Sequence, residues 1–135
     1  MRDFRIVVAA HGELAPALLS TAELICGRID NAVAVGLDPS DSPETYLERL
    51  LAAVGDPGAP VLILTDLAGG TPHNVACVAA KRLVQAVCLS GINLAVLIEA
   101  ATTLETLDDE SVGHLLASGR EALVDATQVL STRSP

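Results

Sequence analysis

Short apolar runs alternate with amphipathic segments along this chain. Residues 6–10, 32–37, 61–65 and 84–90 are close to unbroken runs of Val, Ile, Leu and Ala. Such runs are what strands covered on both faces require. Between them, apolar residues recur at helical spacing. In 16–26, Leu18, Ala22, Ile25 and Cys26 share one stripe and Gly27 supplies the stop. The next helix has Ser42 as its predicted N-cap, Pro43 at the first helical position and Gly55 at its end. "TPHNVACVAAKRL" starts a third helix behind the loop "DLAGG", with Thr71 as its predicted cap. "GINLAVLIEAAT" suits a short helix or a strand, and its Gly-Ile-Asn opening favours a helix. The more polar stretch that follows is mostly helical in pattern. Its last apolar piece, 124–130, is ambiguous between helix and strand, and "STRSP" reads as a tail or linker stub.

Strands alternating with helices, joined by right-handed crossovers, give a mainly parallel sheet with helices on both faces. The expected fold is therefore a three-layer, flavodoxin-like α/β domain with strand order 2-1-3-4. Residues 1–130 form the domain and 131–135 the tail or linker. This order places the first and third strands side by side, about 4.8 Å apart. The residues just past their ends are His11 and Asp66. Ligands of such sheets sit at the carboxyl ends of the strands, where the strand order reverses.

Composition narrows the picture. Half of the 135 residues are apolar, nearly all aliphatic, which suits a layered core. With 8 basic and 17 acidic residues the net charge is −9, which argues against a nucleic-acid partner. A small local phosphate site remains compatible with that charge. Cys26, Cys77 and Cys88 all fall in apolar stretches, with no CxxC pair, and read as reduced core thiols. The N-terminus has no signal-peptide pattern and no segment is long enough to span a bilayer, so a soluble, cytoplasmic protein is expected.

The candidate chemistry lies at the strand ends. A neutral imidazole has one bare nitrogen that can attack and one N–H that must be held. A carboxylate on the N–H side fixes the tautomer and stabilises the charge that develops when the other nitrogen is modified. His11 and Asp66 fit those roles. Gly69 and Gly70 can turn backbone N–H groups toward an anion, Thr71 adds a hydroxyl, and a helix begins there. A second helix start lies near Ala15 and Pro16. Each feature alone has a plainer reading: a loop histidine, a turn aspartate, an ordinary Gly-Gly-Thr-Pro helix start. Their joint placement at one crevice gives them weight. His73 can approach the same site or lie at the surface. His114 and the run "LETLDDE" read as solvated, and Glu99 has no clear role. Metal binding by His11, Asp66 and His73 would be sparse and lacks a His-x-x-x-His pair, so no metal or other cofactor is expected.

Three segments together are familiar. "VVAAHGELAPALLSTAELICG", "ILTDLAGGTPHNVA" and "SGINLAVLIEA" resemble, in order, the three motifs of the enzyme IIA domain of the mannose family of the bacterial phosphotransferase system. The resemblance implies a phosphotransferase component. His11 would take a phosphoryl group from the histidine phosphocarrier HPr and pass it to a IIB component, which phosphorylates sugar entering through the membrane permease. Asp66 would orient the histidine, and Gly69, Gly70 and Thr71 would surround the phosphoryl group. The resemblance further implies a homodimer with an exchanged antiparallel C-terminal strand, for which 124–130 is the candidate. Two positions depart from the family pattern: Ala68 replaces a bulky aromatic residue and His73 replaces phenylalanine. The related dihydroxyacetone-kinase phosphotransfer domain fits "DLAGGTPHN" less well. Two alternatives remain at this stage. One is a stand-alone regulatory phosphohistidine module that signals to a protein partner. The other is a phosphate binder of this fold with no covalent step.

Overall fold

The computed structural model of the protein describes residues 2–133. The elements run β1 (Arg5–His11), α1 (Leu14–Cys26), β2 (Ala32–Leu37), α2 (Pro43–Val54), β3 (Val61–Thr65) and α3 (Thr71–Ala80). They continue with β4 (Ala86–Ser90), α4 (Leu94–Thr102), α5 (Asp109–Glu121) and α6 (Ala126–Arg133). The sheet has the order β2-β1-β3-β4 and all three pairings are parallel. This is the expected doubly wound α/β fold.

The two central strands explain the unbroken apolar runs. Along β1, Ile6, Val8 and Ala10 point into a layer formed with α1, α4 and α5. Val7 and Ala9 point into the opposite layer, with Tyr46 and Leu50 of α2 and Val75, Ala76 and Ala79 of α3. Because successive side chains face opposite sides of a strand, both faces can be dry only if every position is apolar. β3 repeats the pattern, with all five residues buried.

Helix ends follow local chemistry. Ser42 caps α2 in a reciprocal box with Thr45, and Pro43 sits where its missing N–H costs nothing. α1 begins at Leu14, two residues earlier than expected, because Pro16 is tolerated inside a first turn whose N–H groups have no partner within the helix. β4 begins two residues later than expected, since Val84 lies in the preceding turn and is 80% exposed.

The C-terminal segment differs from expectation. Residues 124–130 do not form an antiparallel strand; α6 occupies Ala126–Arg133. Asp125 accounts for this locally. Its carboxylate accepts the N–H of Gln128 at 3.1 Å and the hydroxyl of Thr127, and its carbonyl accepts the N–H of Val129 at 3.1 Å. A capped helix satisfies its backbone within one chain, whereas a strand needs a partner edge. The predicted tail 131–135 is helical as far as Arg133, and residues 134–135 lie outside the described residues.

Candidate functional site

β1 ends on His11, whose side chain is 46% exposed. Asp66 follows the last residue of β3, the neighbouring strand, and its side chain is only 13% exposed. Parallel pairing of β1 and β3 brings the two together as the strand order required. His11 Nδ1 lies 2.9 Å from Asp66 Oδ2, and the same oxygen accepts the His11 backbone N–H at 3.1 Å. One carboxylate oxygen thus fixes both the ring and the main chain of the histidine. The other, Oδ1, is buried and has no hydrogen-bond partner among the described residues. Burial pushes the Asp66 pKa up, but the hydrogen bonds from the His11 ring and backbone together outweigh it, and the carboxyl titrates below its ordinary value.

With Nδ1 engaged, Nε2 is the free ring nitrogen, and it faces the loop after β3. Gly69 takes a φ of +84°, open to glycine at little cost, and the Gly70 N–H closes a turn onto the Leu67 carbonyl at 3.1 Å. Gly70 sits against the ring: a Cβ on it would lie 2.8 Å from His11 Cε1 and 3.4 Å from Nε2. Only a residue without a side chain allows the loop this close to the imidazole.

Thr71 is the first residue of α3 and not its cap. The N-cap is Gly70, which has no side chain to offer, so the predicted Thr71 cap is corrected. α1, which begins just after His11, also lacks a side-chain cap at Glu13. By contrast, Ser42, Asn93 and Asp108 cap α2, α4 and α5. The two uncapped helix starts are those that flank His11 in the chain or in space. Their first-turn N–H groups carry partial positive charge and are available to an external anion. The site can therefore hold an anion beside Nε2 with backbone donors alone.

Other sequence candidates lie apart from this cluster. His73 contacts Cys77 on its own helix, Nε2 to Sγ 3.7 Å. His114 is exposed, 3.9 Å from Glu110 on α5. Glu99 keeps one buried carboxylate oxygen without a partner among the described residues. Among the described residues no group of three or more His, Cys, Asp or Glu side chains could hold a metal ion. All three cysteines are free, but Cys77 is exposed, which corrects its assignment to the core.

A residue absent from the sequence reading is Arg49 of α2. Its Nη1 donates to the Gly36 carbonyl at 3.0 Å and to Asp41 at 2.5 Å, and it lines a cleft with Gly12, Glu13 and Asp38. Its position on the exposed side of an amphipathic helix gave no signal.

The chain matches the family model described as "PTS system fructose IIA component" over residues 5–118. It is 34% identical over 128 residues to the mannose-specific EIIAB component of the phosphotransferase system of Escherichia coli (strain K12). That match covers 87% of this chain but 38% of the relative, so the chain spans about two fifths of that protein's length. The sorbose-specific EIIA component of Klebsiella pneumoniae is 31% identical over 122 residues, covering 87% of this chain and 88% of the relative. In structure the chain is similar to the phosphotransferase system component EIIA from Streptococcus agalactiae. The TM-score is 0.84 at 32% identity, with 93% of this chain and 98% of that one covered. The chain belongs to the mannose family of phosphotransferase-system IIA components.

Proposed function

We propose that the protein is a phosphoryl carrier of a sugar phosphotransferase system, in which Nε2 of His11 accepts the group from phospho-HPr and passes it to a IIB component. The observation that carries this reading is the 2.9 Å contact of His11 Nδ1 with Asp66, which leaves Nε2 free beside Gly70. In the first transfer a P–N bond to Nε2 forms as the P–N bond to the HPr histidine breaks. Nδ1 keeps its proton on the Asp66 side, so the carboxylate stabilises the positive charge that develops in the ring. The second transfer breaks the bond to Nε2 as the IIB acceptor takes the group. Gly69 and Thr71, with the uncapped starts of α1 and α3, supply the donors around the phosphoryl oxygens, and Gly70, whose N–H closes the turn onto Leu67, lets the loop approach the ring closely enough for them to reach. Catalysis is then positioning and electrostatic stabilisation, with no metal or organic cofactor called for. Backbone donors in place of Lys or Arg suit a group that has to leave again.

On the same reading, residues 1–130 are the IIA unit and work in the cytoplasm as a homodimer. Family membership supports this, and no helix among the described residues is long and apolar enough to cross a membrane.

The test is intact-mass spectrometry after incubation with phosphoenolpyruvate, enzyme I and HPr, with His11→Ala beside the wild type. The expected result is a single acid-labile phosphoryl group on the wild type and none on a folded His11→Ala. A phosphorylated His11→Ala would remove His11 from the role.

A further inference from the structure

α2 holds the end of β2 through two successive carbonyls. The buried Tyr46 hydroxyl donates to the Val35 carbonyl at 2.6 Å. One turn further along, Arg49 Nη1 donates to the Gly36 carbonyl at 3.0 Å. Arg49 is itself fixed. The same Nη1 reaches Asp41 Oδ2 at 2.5 Å, and the guanidinium carbon lies 5.8 Å from the Tyr46 ring centroid. Asp41 in turn accepts the Asp38 N–H at 2.9 Å and the Thr45 hydroxyl at 3.2 Å, so the arginine is tied to the loop that leaves β2.

What the end of β2 supports is the turn after His11. In the parallel register His11 pairs with Leu37, and the Gly12 N–H donates to the Leu37 carbonyl at 2.8 Å. Gly36 packs directly beneath the turn: a Cβ on it would lie 2.3 Å from the Gly12 carbonyl oxygen and 3.8 Å from Pro16 Cδ. Backbone thus meets backbone with no side chain between to absorb a shift. A displacement of Gly36 passes to Gly12, and so to the backbone that aims the imidazole.

We propose that Arg49 is a positioning residue for His11, acting through the Gly36 carbonyl and the Gly12 turn. The proposal rests on His11 being the phosphoryl acceptor. Asp66 fixes the ring from the β3 side, and Arg49 fixes the main chain from the β2 side. Neutral truncation at Arg49 leaves the two helix starts, Asp66 and the Gly69–Gly70 turn untouched, so substrate docking is preserved while the aim of Nε2 is loosened. Misplacement of a reacting group by a fraction of an ångström is felt in the transfer step and not in binding.

The experiment compares Arg49→Gln, Arg49→Lys and Arg28→Gln with the wild type, by amide hydrogen exchange and by transfer kinetics from phospho-HPr. In Arg49→Gln, kcat is expected to fall about tenfold with KM changed less than about twofold. Exchange of the Gly12 amide is expected to quicken about tenfold while the β3 amides keep their wild-type rates. An ammonium can donate to both acceptors that Nη1 serves, so Arg49→Lys is expected to recover most of both losses. Arg28, paired with Asp30 elsewhere, is expected to change neither. Unchanged kcat and Gly12 exchange in Arg49→Gln would overturn the proposal. So would a loss confined to KM, which would make Arg49 a docking residue, or an equal rise in exchange across β3, which would make it a general stabiliser. If the wild type takes no phosphoryl group from a donor shown to be active, the carrier reading fails. The Gly12 exchange then still decides whether Arg49 holds the turn.

Discussion

Gly70 offers the sharpest test of the proposed site, because the structure separates its steric role from its backbone role. Its φ of −74° and ψ of 167° are open to any residue, so Gly70→Ala carries no backbone strain. The added methyl, however, would lie 2.8 Å from His11 Cε1 and 3.2 Å from the Leu67 carbonyl oxygen. Carbon atoms in contact sit about 3.5–4.0 Å apart, so the ring has to move by about 0.7–1.2 Å. The carbonyl belongs to the turn that Gly70 itself closes and has less room to yield. The exposed ring swings instead, which weakens its bond to Asp66 and misaims Nε2. A shift of about 1 Å in a reacting group costs about 10²-fold in rate, or about 2.7 kcal/mol of transition-state stabilisation. The fold should lose about 1 kcal/mol or less, the difference between glycine and alanine as an N-cap.

Gly69→Ala should do the reverse. Its φ of +84° is unfavourable for alanine, while nothing lies within 4 Å of the new methyl. That strain costs about 1–2 kcal/mol of stability and leaves the imidazole untouched. Urea unfolding and single-turnover transfer from phospho-HPr, measured on both variants, give a crossed pattern if the geometry is right. Gly70→Ala transferring at the wild-type rate would refute the reasoning. Gly69→Ala losing as much transfer as Gly70→Ala, at equal folded fraction, would refute it as well.

Other outcomes follow from the same contacts. Asp66→Asn should slow transfer by about 10²-fold, because the amide no longer stabilises charge in the ring, and a wild-type rate would remove Asp66 from the site. Asp66 titrates below its ordinary value in the folded protein, so its contribution to stability is fully present above the unfolded pKa of about 3.9 and is lost as pH falls through the folded value. The stability gap between wild type and Asp66→Asn should therefore close below about pH 4 in acid titrations followed by circular dichroism, and a gap that widens there contradicts the sign. Gly36→Ala should destabilise the fold by about 2 kcal/mol or more in chemical unfolding, since its methyl would lie 2.3 Å from a backbone oxygen; an unchanged midpoint would show that the β2 end can yield. Burial, with a smaller contribution from Cys77, pushes the Cys88 thiol up to about 11. Iodoacetamide at neutral pH should modify exposed Cys77 well before Cys88, and equal rates would contradict that burial.

The layout of the site was legible because burial on two faces leaves an unmistakable mark. Residues 6–10 of β1 and 61–64 of β3 are dry on both sides and wholly apolar, so His11, the last residue of β1, and Asp66, just past β3, stand out as the titratable groups at their carboxyl ends. The strand order then makes them neighbours. Features set by packing between distant segments left no such mark. Nothing in the neighbourhood of Gly36 in sequence says that it lies under Gly12, and Arg49 reads as one more solvated charge on α2. The α6 segment has too few residues to show a period, and its fate turns on Asp125, a cap recognisable only once the helix is known. Cys77 was misassigned for a different reason. The buried residues of α3 are Pro72, Val75, Ala76 and Ala79, and carrying that phase through the helix puts Cys77 on the outer side.

The capping pattern ties the fold to the proposed chemistry. A side-chain cap contributes about 1 kcal/mol to a helix, and this chain uses one at α2, α4 and α5. At α1 and α3 it uses none. Glu13 precedes α1 with φ −82° and ψ −3°, a helical geometry in place of the extended one a capping side chain needs, and Gly70 has no side chain at all. A capping carboxylate or hydroxyl at either position would occupy the amides and set an oxygen where a phosphoryl oxygen has to come. An aspartate would add negative charge at that point as well. Leaving both ends open costs about 2 kcal/mol in forgone caps, a sizeable part of the net stability of a small domain. A structural α/β domain has no reason to carry that cost at two helix starts flanking one histidine. An acceptor site that must bind a dianionic group and then release it does, since open amides hold the group without the extra charge of a lysine or arginine that would trap it.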